Sequence, residues 1–241
     1  MATRAAACGQ TACALRERDG EPGILPDGLA CRAVSSRPMI MSSSSIEQLR
    51  AEIAAAAARM IAEDGADYGT AKKKAARQIL GNTRVRGDYM PDNAQVEDEV
   101  RAYNEIFFGD TQPARLLHLR QLALRLMNDL AEFSPFLTGA VLNGTAGEHS
   151  DIHLQLFVES AKDVEIFLLN RNVDFTVSEA PPSASPATPM ETASFMWHNE
   201  GVHLALYPLD ALRLIPRNTA DGRPVRMDAN GLRALLEEEQ S

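Results

Sequence analysis

Apolar residues along this chain recur first at helical spacing and then, from about residue 136, increasingly at strand spacing. In the first part, Ile46, Leu49, Ile53, Met60 and Ile61 mark one face of a helix. Ser44 and Ser45, with Glu47 and Gln48 three residues on, offer overlapping capping boxes for its start, and Gly65 closes it. A second helix is predicted from about Gly69 to Leu80, stopped by Gly81. Pro91-Asp92-Asn93 opens a third, with Val96, Val100, Tyr103 and Phe107 on its apolar side, and the segment from Gly109 to Pro113 breaks it. Leu116, Leu119, Ala123, Leu126, Leu130 and Phe133 then alternate steps of three and four, which predicts a fourth helix over 115–133.

The stretch FLTGAVLNGTAGEHSDIHLQLF, Phe136 to Phe157, reads as a buried strand near 137–142, a glycine turn, a polar loop and a second strand. In the second strand Ile152, Leu154 and Leu156 take one face, and Asp151, His153 and Gln155 the other. The two strands are expected to be sheet neighbours, with the helix at 115–133 packed on their face. A helix over Ala161–Asn170 follows, then a strand over 173–177 and a proline-rich loop over 178–192. Ala193–Trp197 and Val202–Tyr207 form a hairpin around His198-Asn199-Glu200-Gly201. A turn rich in arginine and proline leads to a short helix, Ala229 to Glu239. The fold class is therefore α+β: an N-terminal helical region over 42–112, and over 113–241 a small mixed β-sheet with a C-terminal hairpin.

Residues 1–41 show neither period, and are expected to be disordered or an extension from an upstream start codon, a targeting peptide being the alternative. All three cysteines, Cys8, Cys13 and Cys31, lie there, so the body has no disulfide framework, which fits a cytoplasmic protein. No apolar run approaches the roughly 20 residues that span a bilayer, so no membrane partner is expected. A formal net charge of −9 argues against coating nucleic acid by bulk attraction. Locally, residues 65–90 carry six basic side chains against two acidic ones. Lys72, Lys73, Lys74 and Arg77 are thus either a solvated helix face or a contact for RNA or a protein partner.

Chemistry gathers in the central stretch. Gly144-Thr145 offers a backbone that can approach a phosphate, and Ser150 and Asp151 follow closely. From Leu116 to Pro208, the order helix, strand, Gly-Thr, a strand opening Ser150-Asp151-Ile152, helix, strand and hairpin resembles the nucleotidyltransferase superfamily, of the DNA polymerase beta type. Glu148 to His153 looks like the entrance to that family's second strand, and Val202 to Pro208 like its later strand. The family carries glycine after the first strand, two carboxylates two residues apart on the second, and a third on the later strand. Two such carboxylates point the same way and share magnesium ions that hold nucleotide phosphates.

The resemblance implies a nucleotidyltransferase-type sheet over 113–241 and nucleotide binding near Gly144, Thr145 and Ser150. Asp151 stands as the first carboxylate and the one magnesium ligand. His153 occupies the second position, and the later strand offers Ala205 or His203, neither of them an acid. Glu148 and Glu165 are the carboxylates left to compensate. The expected protein is therefore a degenerate member, a pseudoenzyme that retains nucleotide or phosphate binding, with magnesium only if catalysis persists. An interaction module using residues 72–77 and an active transferase with atypical ligands are the alternatives. His149, His153 and His203 with Asp151 also make a candidate transition-metal set. Trp197 covers the sheet or stacks on a base. No G-x-x-x-x-G-K-[ST] phosphate loop and no G-x-S-x-G elbow occurs.

Overall fold

The computed structural model describes residues 43–81, 87–179, 188–219 and 221–239. The expectations for 1–41 and for the middle of the proline-rich loop lie outside these residues. Eight α-helices and one five-stranded sheet are present among them, an α+β fold. From Ser43 onward the described residues belong to one compact unit with two main hydrophobic clusters.

The smaller cluster joins α1 (Ser43–Asp64), α2 (Tyr68–Leu80) and α3 (Asn93–Phe108). Alanines at the crossings, Ala57, Ala58, Ala71, Ala75 and Ala76, are fully buried and let the helices approach closely around Ile53, Val96 and Val100. Asp67 caps α2 by accepting from the Gly69 and Thr70 amides, and Asp92 with Gln95 forms the capping box of α3. The fourth helix, α4 (Gln112–Asp129), ends sooner than its apolar period predicts. Ser134 precedes Pro135 and takes a φ of 49°, so the chain leaves α4 through a 3-10 turn, Ala131–Phe133, that still buries Leu130 and Phe133.

The sheet comprises β1 (Phe136–Thr138), β2 (Ile152–Val158), β3 (Phe175–Glu179), β4 (Glu191–Trp197) and β5 (Glu200–Pro208), in the order β1-β2-β5-β4-β3. Only β2 and β5 run parallel. His198 and Asn199, with φ of 49° and 68°, form the two-residue turn between β4 and β5, and so pair Trp197 with Glu200.

The expected strand over 137–142 is corrected. The first strand stops at Thr138, and Gly139–Asn143 is a short helix, α5. Gly139 and Gly144, with φ of 73° and 79°, bracket it in a conformation that L side chains resist. Arg120 of α4, buried, donates from Nε to the Val141 carbonyl and from Nη2 to Leu142, and pairs with Glu239, so it satisfies the open end of α5. The expected neighbour relation holds, since β1 pairs antiparallel with β2.

The sheet buries the central part of one face, while Val177 on the edge strand β3 stays exposed. Ile152, Leu154, Leu156, Val202, Leu204 and Leu206 pack under α4, α6 (Ala161–Asn170) and α8 (Ala229–Glu239). Each such side chain contributes roughly 1.5–3 kcal/mol by leaving water. On the other face Phe157 and Tyr207 are covered by Ala211 of α7 (Ala211–Leu214) and by Ile215, while the end of the sheet nearer the β4–β5 turn stays open. Among the described residues no helix is long and apolar enough to cross a membrane.

Candidate functional site

The strand registers bring five polar residues into one row on the open face: Thr138, His153, His203, Ser194 and Thr176, one from each strand in spatial order. The row follows from the two-residue turn. Pairing 197 with 200 forces Ser194 opposite His203, and the parallel register of β2 on β5 sets His203 beside His153. The later strand therefore presents His203 next to His153, with Ala205 one row further on beside Gln155.

Hydrogen bonds turn part of this row into a connected chain. His203 Nε2 lies 3.1 Å from Asp151 Oδ2, and His203 Nδ1 lies 2.8 Å from Ser194 Oγ. A carboxylate can only accept, so Nε2 donates to Asp151. In the neutral ring Nδ1 is then the acceptor, and the Ser194 hydroxyl donates to it. The His153 ring stacks on His203 with centroids 4.8 Å apart and planes 19° from parallel. Desolvation by the surrounding protein and the neighbouring His203 hold the His153 imidazole below its ordinary value, and Asp151 pulls the other way. His153 is thus disposed to stay neutral.

Gly201 makes room for this arrangement. A Cβ there would lie 2.6 Å from the Asp151 Cγ and nearer still to its Oδ1. Beside it Arg115 of α4 grips Glu200 through two bonds of 2.5 and 2.6 Å, and donates to the Glu148 carbonyl. The Arg115 bonds, partly offset by burial, hold the Glu200 carboxyl below the usual range. This clamp ties α4 to the β4–β5 turn that sets the row's register.

Two cavities share Asp151 and His203. One of about 530 Å³ lies between the row and the α1–α2 turn, lined by Asp67, Tyr68, Gly139, Ser150, Asp151 and His153 among others. The second, about 440 Å³, opens along β4 and β3 past Ser194. No lysine or arginine is among the described residues lining either.

The residues singled out in the sequence are therefore partly gathered and partly dispersed. Ser150, Asp151 and His153 meet at the first cavity, with His149 and His203. Gly144 and Thr145 do not join them. Thr145 is 3% exposed, its hydroxyl bonded to Tyr68 Oη at 3.2 Å and its carbonyl to Asn104, while the Gly144 and Ala146 carbonyls accept from Gln112. This pair is the joint between the helical layer and the sheet, and its polar groups are already spent. The glycine that ends the first strand and lines the cavity is Gly139. Glu165 sits on α6 beside Glu191, in the row of Leu206 on the buried face, so it cannot serve Asp151. No group of three or more His, Cys, Asp or Glu among the described residues is arranged to hold a metal ion.

Of the four basic residues on α2, Lys72 donates to the Pro91 carbonyl and to Asn93, while Lys73, Lys74 and Arg77 stay exposed. Trp197 packs against the sheet core. Two residues of the site, Ser194 and Gly201, escape a reading of the sequence alone. Their signal lies in the outward position of Ser194 within ETASFMW and in the length of the turn that follows. No protein-family model, curated protein or solved structure matches the chain.

Proposed function

We propose that this chain is a cytoplasmic, nucleotidyltransferase-like binding protein whose metal-dependent transfer chemistry has been lost. The observation that supports this most is the partner of Asp151. Where the family's pattern asks for a second and a third carboxylate, this chain has His153 and His203, and His203 takes the Asp151 carboxylate in a hydrogen bond at 3.1 Å. Two stacked imidazoles and one carboxylate do not supply the negative charge that gathers a pair of magnesium ions around a transferring phosphate. Magnesium would have Asp151 alone among these three as a hard oxygen ligand.

The cavity beneath the α1–α2 turn then has the character of a base-and-sugar pocket. Histidine rings offer faces and edges for a heterocycle, Ser150 and Asp151 offer polar groups, and no lysine or arginine among the described residues lines it for phosphates. Nucleotide-class ligands therefore bind through the nucleoside part, with affinity independent of magnesium and of phosphate number. Titration calorimetry with adenosine, guanosine and their triphosphates, with and without magnesium, tests this. Similar affinities throughout support the reading. Binding that requires both triphosphate and magnesium contradicts it, as does absence of binding in every arm.

A second reading, contact with RNA or a protein through α2, rests on the exposed Lys73, Lys74 and Arg77. They form one local basic face on a chain of net charge −9.

A further inference from the structure

The cavity along β4 and β3 carries chemistry that ligand binding leaves unused. Ser194 Oγ is half-buried, 2.8 Å from His203 Nδ1, and lines that cavity on the same face of the sheet as Thr176 and Met196. Asp151 on the far side of the ring fixes the proton on Nε2 and leaves the Nδ1 lone pair facing the hydroxyl. That is the arrangement of a nucleophile, a base and a group that orients the base, with the two ring nitrogens exchanged relative to the common serine triad. A serine that merely satisfied a strand would need none of this alignment. We infer that Ser194 and His203 are catalytic residues and Asp151 a positioning residue for acyl transfer from a small ester to water.

The steps balance without any further reactant. Ser194 Oγ bonds to the ester carbonyl carbon while its proton passes to His203 Nδ1. The carbon–oxygen bond to the leaving alcohol breaks, and that alcohol takes the proton from Nδ1. Water then gives a proton to Nδ1 and adds to the acyl-serine, and collapse releases the acid and returns the proton to Ser194. The substrate class follows from the walls. The cavity holds about 440 Å³, Met196 stands beside Ser194 in its wall, and Asp174 and Asp151 repel anions, so short uncharged acyl groups fit.

Turnover is expected to be slow. Backbone N–H groups of β4 and β5 are committed to the sheet, so the donor left for the developing oxyanion among the described residues is the hydroxyl of Thr176, the register partner of Ser194. Thr176 holds only a long bond of 3.4 Å to the Ser194 carbonyl and can be redirected. One oxyanion donor fewer slows such a reaction about 10²–10³-fold. Acylation and deacylation both pass through that oxyanion, so both steps are slowed.

This inference does not rest on nucleotide binding. The test uses the full chain with a fluorophosphonate and with p-nitrophenyl butyrate, read by intact mass and peptide mapping. One adduct on Ser194 is expected, absent in Ser194→Ala and formed at least about 10²-fold more slowly in His203→Gln. Asp151→Asn keeps size but loses the fixed tautomer, and should slow labelling while the melting temperature stays within a few degrees. Ser194→Cys provides an independent readout, since alkylation of its thiol by iodoacetamide should also depend on His203. No adduct on Ser194 while a known serine hydrolase labels in parallel would overturn the inference. So would labelling of the parent, or alkylation of the Ser194→Cys variant, that is indifferent to His203.

Discussion

Gly201→Ala should separate the site from the fold. The new Cβ would lie 2.6 Å from Asp151 Cγ, well inside contact distance, so the carboxylate must swing away and release His203. Two opposing effects set the cost. Alanine in a strand is favoured over glycine by about 0.5–1 kcal/mol. A hydrogen bond to a buried charged group is worth about 1.5–3 kcal/mol. Here the Asp151 and His203 side chains are 45% and 32% exposed, so solvent screening brings that value to about 1 kcal/mol or less. The two nearly cancel, so the melting temperature should move by no more than about 4 °C. The His203 tautomer should not survive. Nitrogen-15 spectra of the imidazoles are expected to show the proton on Nε2 in the parent and on Nδ1, or shared, in the variant. A spectrum that stays on Nε2 would refute the role given to Asp151. A fall of more than about 8 °C would show that the carboxylate is part of the core's support.

Leu204→Ala removes a fully buried side chain from the centre of the sheet, and should cost about 2–5 kcal/mol in urea unfolding; a loss below about 1 kcal/mol would mean that the sheet does not carry the core. His153 has a folded-state pKa lowered from 6.5, so the folded protein binds fewer protons there than the unfolded chain. Stability should therefore fall as pH drops below about 6.5 and level off below the folded value, and His153→Gln should flatten that part of the melting-temperature profile between about pH 8 and 5. Lys73→Glu with Lys74→Glu should leave RNA binding at a weak non-specific level, as in the parent. A steeply salt-dependent affinity lost in this double variant would instead establish the α2 contact.

Much of the fold was legible because local signals agreed with the packing. The helix ends at Gly65 and Gly81, the helix start at Pro91-Asp92-Asn93, the alternation of 152–157 and the helix Ala229–Glu239 all appear where the residues indicate. The misreading of 139–143 has a tertiary cause. Val141 and Leu142 suit a strand as well as a helix, and the deciding partner, Arg120, comes from about twenty positions earlier in the chain. The same holds for Gly144-Thr145, whose polar groups are consumed by Tyr68, Asn104 and Gln112 from three different helices. Asp151 and His153 could be picked from one strand. The chain from Ser194 through His203 to Asp151 depends on a register spanning three strands, which a single segment does not encode.

The central claim is that Asp151 serves His203 rather than a pair of metal ions. Incubation with labelled nucleoside triphosphates and magnesium or manganese, comparing the parent with Asp151→Ala, tests it most directly. The account predicts no incorporation of label onto any acceptor, the protein itself included, in either protein, and none in His153→Asp, because the neighbouring strand still presents His203 and no carboxylate at that register position. Incorporation by the parent that disappears in Asp151→Ala would contradict it.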